Sequence, residues 1–123
     1  ELPGMFVDYA GGQPSNFQFC MFDIEPARFG LNRNQLQAVL RAENILARRY
    51  FYPGVHRLVP YDSLYPDADR GLPVTLALSG RLLQLPLGAG VELDTVDRIT
   101  AIMELCRRHA PDIRSRLESA APQ

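Results

Sequence analysis

Residues 17–40 read FQFCMFDIEPARFGLNRNQLQAVL and contain two different hydrophobic patterns separated by a proline. The first part is rich in aromatic side chains and has the length of a strand, so we predict a strand near residues 17–24. In the second part Asn32 can cap a helix, and Gln35, three residues later, can return a hydrogen bond to the cap. Apolar residues then recur at helical spacing, which predicts a helix over residues 33–44.

The rest of the chain continues this mixture of elements. The patterns predict, in chain order, a strand over 45–52, a long loop over 53–72, a short helix from Pro73 to about Ser79, a strand over 82–86 and a long helix from Asp94 or Thr95 to just before Pro111. This order is typical of a small α+β domain, in which a three- to four-stranded sheet has helices packed on one face.

The predicted domain occupies most of the chain. We expect residues 1–16 to form an irregular N-terminal segment, 17–109 the single α+β domain and 110–123 a C-terminal tail. A sheet with one bare face would expose apolar side chains, so we expect another domain or subunit to cover it.

Charge and composition exclude several classes of function. The chain has 123 residues, and all 13 of its basic residues are arginine, so it holds no lysine for Schiff-base chemistry. Its net charge of −1 provides no overall field to attract nucleic acid or a membrane surface. No run is apolar and long enough to span a membrane. Cys20 and Cys106 lack metal-ligand spacing, and we interpret both as buried free thiols of a cytoplasmic protein.

Local motifs for common enzyme chemistries are absent from the sequence. It contains no dinucleotide-binding GxGxxG, no P-loop, no HExxH and no GxSxG pattern. His56 and His109 are the only histidines, and neither has a second histidine or a cysteine at ligand spacing, so no metal site is expected. Asp67, Asp69 and Arg70 fit a solvated loop.

The densest cluster of polar and aromatic side chains is ARRYFYPGVHR over residues 47–57. On a strand, Arg48, Tyr50 and Tyr52 would share one face. Guanidinium binds carboxylate or phosphate through two points, and tyrosine adds a flat ring with a hydroxyl, so this face suits an anionic, partly apolar ligand. His56, just past the strand, could donate to a phosphate or position a substrate hydroxyl. The alternative is that the arginines pair with surface acids and the aromatic rings only pack.

Four segments of the chain together form a recognisable sequence pattern. They are NFQF at 16–19, FGLNRNQL at 29–36, ARRYFYPGVHR at 47–57, and LPV at 72–74 followed by SGRLLQLPL at 79–87 and continued by DTVDRI at 94–99. In this order and with similar gaps they resemble the C-terminal region of DegT/DnrJ/StrS-type sugar aminotransferases, over about residues 2–109. The chain departs from that family at Gly88-Ala89-Gly90, where members commonly have an aromatic residue and a proline.

The resemblance implies the small C-terminal domain of a fold-type I enzyme. Such enzymes use pyridoxal phosphate (PLP) to move an amino group, typically from glutamate, to a keto sugar carried on a nucleotide. Their Schiff-base lysine belongs to a large N-terminal domain that is missing here, so no catalytic residue is expected in this chain and the isolated chain is expected to be inactive. The full enzyme is expected to be a homodimer with active sites at the subunit interface.

The resemblance also implies candidate substrate-binding residues. Arg48 matches the family's arginine before the tyrosine-rich segment, and His56 matches the histidine of its Pro-x-x-His element. Both are therefore candidate ligand contacts, and Tyr50 and Tyr52 are added to them because they lie in the same region.

Two other functions remain open at this stage. A dehydratase of the same family replaces the lysine with histidine and removes a hydroxyl, a difference that would lie outside this chain. The chain could also be a free-standing nucleotide-sugar-binding or interaction module that kept the fold and lost the chemistry. A first residue of Glu1 rather than Met is compatible with a piece of a longer chain.

Overall fold

Four short strands form one antiparallel sheet. The computed structural model describes residues 2–6, 16 and 18–120. Within them the strands are β1 (Met5–Phe6), β2 (Cys20–Ile24), β3 (Arg48–Arg49) and β4 (Leu82–Leu85), in the order β1-β2-β4-β3. Cys20 lies opposite Leu85 and Phe22 opposite Leu83. The central pair therefore joins residues about sixty positions apart, and the α+β fold with a four-stranded sheet agrees with the sequence prediction.

Helices make up most of the remaining described chain. They are α1 (Pro26–Phe29), α2 (Arg33–Ala42), α3 (Tyr61–Leu64), α4 (Ala68–Gly71), α5 (Pro73–Arg81), α6 (Leu93–Arg108) and α7 (Ala110–Ala120), and a 3-10 turn covers Val55–Arg57. The predicted helix at Pro73 is confirmed and runs two residues past Ser79.

The core lies between the sheet and the helices α2 and α6. Side chains alternate along a strand, which sends every second residue of β2 and β4 toward these helices. The buried apolar side chains are Met5, Ile24, Phe29, Leu31, Leu36, Leu40, Ala47, Leu83, Leu85, Ile99, Met103, Cys106 and Ala110. Both cysteines are free, but Cys20 is only half-buried, whereas burial raises the pKa of the Cys106 thiol and keeps it protonated.

The predicted start of α2 is confirmed in detail. The backbone N–H of Gln35 donates to Oδ1 of Asn32, and the backbone N–H of Asn32 donates to Oε1 of Gln35, both over 2.9 Å. This capping box satisfies two N–H groups that a helix start otherwise leaves without partners. The helix ends at Ala42, and Asn44 takes a left-handed conformation, with φ 59°.

The strand predicted over 45–52 is wrong except at its centre. Only Arg48–Arg49 pair with the sheet, and the chain then turns at Tyr50 and Phe51. Phe51 has φ 46°, a left-handed conformation in which a chain cannot continue a strand. The aromatic residues that suggested a long strand therefore belong to a turn. The first predicted strand is confirmed from Cys20 to Ile24, and Phe17 lies outside the described residues.

Two further segments differ from the sequence predictions. The long loop over 53–72 contains the 3-10 turn, α3 and α4, all too short to have a hydrophobic period. The last long helix begins at Leu93, and its preceding residue Glu92 makes no side-chain capping bond, so Asp94 and Thr95 are not its caps. This helix ends at Arg108, before Pro111 as predicted, and Pro111 lies in the first turn of a separate helix, α7, where its missing N–H has no cost.

The two ends of the chain contain regular structure. The expected C-terminal tail is helical from Ala110 to Ala120, and the expected irregular N-terminal segment contributes β1. Residues 1 and 7–15, also part of that segment, lie outside the described residues. The division into an N-terminal segment, a domain over 17–109 and a tail stays a prediction.

Candidate functional site

A cavity of about 470 Å³ lies between residues 50–56 and α5, and we call it the His56 cavity. Its lining residues are Tyr50, Phe51, Gly54, Val55, His56, Leu72, Thr75, Leu78, Ser79 and Leu82. Two of the four predicted site residues, Tyr50 and His56, are thus brought together in one wall. The remaining wall is largely apolar, so the cavity suits a ligand with apolar or ring surface.

His56 is held tightly at the edge of this cavity. Its side chain is 11% exposed, and Nε2 is buried 3.0 Å from Oδ1 of Asp69, short enough for an ion pair but not aligned as a hydrogen bond. Gly54 makes this ring position possible, because a Cβ there would lie 2.8 Å from Cε1 of His56. Gly54 also has φ 101°, which disfavours other residues. The buried Nε2 therefore lies against Asp69 at the edge of the cavity.

Asp69 connects His56 to Arg57. Nε of Arg57 donates to Oδ1 of Asp69 over 3.0 Å, and Nη2 of Arg57 donates to Oδ2. These bonds from Arg57 lower the pKa of the Asp69 carboxyl below its usual value, with a smaller contribution from His56, and they raise the pKa of Arg57. The Asp69 side chain is 43% exposed, as expected of a solvated residue, but it lies on α4 and its carboxylate is paired, which the sequence did not predict. No local sequence pattern reveals that Asp69 pairs with Arg57, because the two residues are twelve positions apart along the chain.

Tyr52 contacts two guanidinium groups and is not among the residues that line the cavity. Cζ of Arg49 is 4.5 Å from the centre of its ring, and Cζ of Arg33 is 4.8 Å from that centre. Both distances are typical of cation–π contacts. We call these three side chains the Arg33–Tyr52–Arg49 stack.

Arg33 is a structural residue that sequence reasoning missed. It is 1% exposed, and its Nη1 donates to the backbone oxygens of Ser79 and Leu82 over 3.0 and 3.1 Å, while Nε donates to Oδ1 of Asn34. These bonds connect the start of α2 to the end of α5. One signal could have revealed it: a cation at the first position of a helix opposes the helix dipole, so Arg33 needs a tertiary role.

Arg48 lies apart from the other predicted site residues. It is exposed and pairs with Gln84, whereas Arg49 pairs with the buried Leu83, so the two arginines point to opposite faces of the sheet. The prediction that Arg48, Tyr50 and Tyr52 share a strand face is wrong, because the strand ends at Arg49.

Tyr50 belongs to a cluster of aromatic side chains that extends beyond the cavity wall. The ring of Tyr50 meets Phe19 edge to face at 5.0 Å between centroids, and it contacts Phe51 at 4.0 Å. Phe51 nevertheless stays 69% exposed. The cavity rim therefore presents a large aromatic side chain to solvent.

A second cavity of about 490 Å³ lies between β2, β4 and the start of α6. Its wall includes Phe22, Leu85, Ile99 and Met103, and Gly88 of the loop after β4 closes one side. Its polar lining residues are Thr100 and Glu104. It offers no cluster of polar groups for chemistry.

The described part of the chain shows neither a metal-binding cluster nor a membrane-spanning helix. Residues 2–6, 16 and 18–120 contain no group of three or more His, Cys, Asp or Glu side chains arranged to hold a metal ion. In the same part of the chain, none of the helices has the combined length and hydropathy that crossing a membrane requires.

Comparisons with known proteins agree on one protein family. The model of the DegT/DnrJ/EryC1/StrS aminotransferase family matches residues 5–104. A dTDP-4-amino-4,6-dideoxy-D-glucose transaminase of Escherichia coli is 28% identical over 102 residues, and one of Shigella dysenteriae is 30% identical over 104 residues. Each alignment covers 82% of this chain and 27% of the relative.

A solved structure agrees with these sequence relatives. A crystal structure of DesI in the presence of its TDP-sugar product matches with a TM-score of 0.81 and 32% identity, over 96% of this chain and 30% of that one. The chain thus spans less than a third of the length of these relatives. Because the family model matches most of the residues and the fold agrees, the chain belongs to the DegT/DnrJ/EryC1/StrS aminotransferase family.

Proposed function

We propose that this chain is the small C-terminal domain of a PLP-dependent aminotransferase that acts on a nucleotide-linked keto sugar with glutamate as the amino donor. The observation that carries the proposal is the family match over residues 5–104. The substrate class is supported by the names of the two transaminase relatives and by the TDP-sugar product with which DesI was crystallised.

The residues of this chain do not supply the covalent site for PLP. The cofactor is held as a Schiff base by a lysine ε-amine, and the 123 residues include no lysine. In the proposed enzyme the lysine belongs to a large N-terminal domain, the enzyme is a cytoplasmic homodimer, and the 123-residue chain alone is inactive. The 27–30% share of the relatives that this chain covers supports a missing larger part.

The contribution of this chain would be to bind substrate. Tyr50 and His56 line the His56 cavity and would contact the apolar or sugar part of a ligand. Tyr52 lies next to the cavity segment in the Arg33–Tyr52–Arg49 stack. Arg48 remains a proposed contact on the opposite face, where it could meet a ligand held by the rest of the enzyme.

A test of the proposal compares the 123-residue chain with the protein encoded by the complete gene. Both are incubated with PLP and borohydride, and peptide mass mapping then locates the reduced adduct. We expect an adduct on a lysine only in the complete protein, since in the short chain only the α-amine is available. Transfer of nitrogen from labelled glutamate to a nucleotide keto sugar is expected only with the complete protein. Turnover by the short chain would contradict the proposal.

The same assay separates the two alternative functions. Loss of a sugar hydroxyl without nitrogen transfer would identify a dehydratase. A gene that encodes no further domain, together with binding of nucleotide sugar and no turnover, would identify a binding module. For the binding residues, unchanged affinity of nucleotide sugar for the Arg48→Ala and His56→Ala variants would return both side chains to a structural role.

A further inference from the structure

We propose that the Arg33–Tyr52–Arg49 stack is a binding site for an oxyanion, in which the guanidinium of Arg49 is the group that contacts the ligand. The oxyanion is a phosphate or a carboxylate. Within the proposed function, on which this part rests, it would be the diphosphate of the nucleotide sugar or a carboxylate of the amino donor.

The geometry of the stack fixes Arg49 in place while leaving it accessible. Arg49 is exposed, and its guanidinium lies over the Tyr52 ring, which restricts a side chain that is otherwise mobile. Arg33, which is almost fully buried, also lies over the Tyr52 ring, with its Cζ 4.8 Å from the ring centre. A preorganised guanidinium loses less entropy when it binds an anion in two-point geometry.

The charges of the stack lack a counterion. Within the described part of the chain, Arg57, Arg70 and Arg81 each pair with an aspartate, but neither Arg33 nor Arg49 has a carboxylate within ion-pair distance. Burial lowers the pKa of Arg33, and repulsion from Arg49 lowers it further. Two neighbouring cations without an acid are stabilised when an anion binds between or beside them.

The two arginines have different roles in this site. Nη1 and Nε of Arg33 are already used on Ser79, Leu82 and Asn34, so Arg33 supplies mainly fixed positive charge. The side chain of Arg49 makes no hydrogen bond to other described residues, so its donors are available for a ligand.

The site borders the His56 cavity. Ser79 and Leu82, whose backbone oxygens hold Arg33, also line that cavity. An anionic group at Arg49 would therefore have a largely apolar wall nearby. This combination favours an anion that carries a ring or other apolar body over a bare inorganic ion.

The test is an NMR titration of the ¹⁵N-labelled 123-residue chain with three anions: pyrophosphate, thymidine diphosphate and glutamate. Ionic strength is kept constant with sodium chloride so that general screening is equal in all samples. We expect the Arg49→Gln variant to bind at least one anion about tenfold more weakly than the unchanged chain, the usual loss for a charge-assisted hydrogen bond. Arg98→Gln, which removes the same charge from an exposed position on α6, is expected to bind normally.

A second pair of variants tests the stack without removing a charge. Tyr52→Phe keeps the aromatic ring and is expected to preserve binding, whereas Tyr52→Leu is expected to weaken it, with the backbone spectrum showing that each variant is folded. Equal affinity of the Arg49→Gln and Arg98→Gln variants, or no saturable binding of any anion to the unchanged chain, would overturn the proposal.

The three anions also identify the source of the oxyanion. If binding of pyrophosphate and thymidine diphosphate depends on Arg49, the oxyanion belongs to the nucleotide sugar. If binding of glutamate depends on Arg49, the oxyanion belongs to the amino donor. Failure of this inference is distinguishable from failure of the proposed function. If the complete protein transfers nitrogen but anion binding to the chain does not depend on Arg49, only the oxyanion site is refuted. If anion binding depends on Arg49 but the complete protein transfers no nitrogen, only the aminotransferase is refuted.

Discussion

At the scale of single residues, Gly30 is constrained by both its backbone and its surroundings. Its φ is 97°, and a Cβ at this position would lie 2.7 Å from Cβ of Ala110. Gly30→Ala should therefore lower the free energy of unfolding by about 1–3 kcal/mol, through left-handed strain and displacement of α7. Urea denaturation measures this change.

Gly80 provides the matched control for that substitution. It lies in α5, and a Cβ there would have no atom within 4 Å. Gly80→Ala is expected to leave stability unchanged or to raise it by up to about 1 kcal/mol, because alanine restricts the unfolded chain more than glycine does. Equal losses in both variants would show that the position of Gly30 is not special.

Asp69 should make stability depend on pH. Its folded-state pKa is lowered, chiefly by the hydrogen bonds from Arg57, so the ionised carboxylate favours the folded state. This contribution is fully present above the ordinary carboxyl pKa of about 4 and is lost as the pH falls through the lower folded value. We expect Asp69→Asn to destabilise the chain at about pH 7 and the difference from the unchanged chain to shrink below about pH 4.

Chemical denaturation over this pH range measures the effect of Asp69. The control is the same substitution in an Arg57→Gln background, where the main partner is missing. There the loss caused by Asp69→Asn should be smaller at neutral pH. A loss that is independent of both pH and Arg57 would contradict the assignment.

At the scale of elements, α2 depends on its capping box. Removing the Asn32 side chain leaves the backbone N–H of Gln35 without its acceptor. Asn32→Ala should lower the free energy of unfolding by about 1 kcal/mol, whereas Asn32→Ser, which keeps an acceptor oxygen, should cost less. Thermal denaturation followed by circular dichroism compares the two, and indistinguishable midpoints would show that the cap is dispensable.

Helices and strands with strong local sequence signals were predictable, and those with weak sequence signals were not. The capping box of α2 and the proline at the start of α5 act within a few residues, so both helices were predicted close to their observed bounds. The segment 50–52 was misassigned because its aromatic residues favour a strand, whereas the observed chain turns at Phe51. The short helices α3 and α4 are each four residues long, too short for periodicity to reveal.

At the scale of the whole molecule, the exposed apolar side chains lie where the sequence did not place them. The sheet face opposite the core carries Arg48, Gln84 and Asp23 beside the half-buried Met21 and Leu82, so it is not a bare apolar surface. The exposed large side chains of the segment 51–78 are Phe51, Tyr52, Val55, Leu58, Val59, Tyr61, Leu64, Tyr65, Val74 and Leu78. A surface of this kind on an isolated chain is typical of a contact with another domain or subunit.

This surface predicts that the isolated chain associates with itself. Val59 is 83% exposed and Val74 is 69% exposed, so replacing both with aspartate removes apolar surface without removing core packing. We expect the double variant to be more monomeric than the unchanged chain in sedimentation experiments, at similar stability. Leu93→Asp, at a residue equally exposed on α6, is the control and should have little effect. Association unaffected by the double variant would place the contact elsewhere.

The sequence by itself determined the family, the α+β class, the helices α2 and α5, and the absence of any lysine, because these depend on residue identity and on short-range patterns. Only the tertiary structure decided that Asp69 holds His56, that Arg33 is buried against α5, and that Arg49, not Arg48, lies on Tyr52. The physical reason is that these contacts join residues 3 to 49 positions apart through turns and strand register. A one-residue change in register or one left-handed turn redirects a side chain to the other face, and no local pattern encodes that choice.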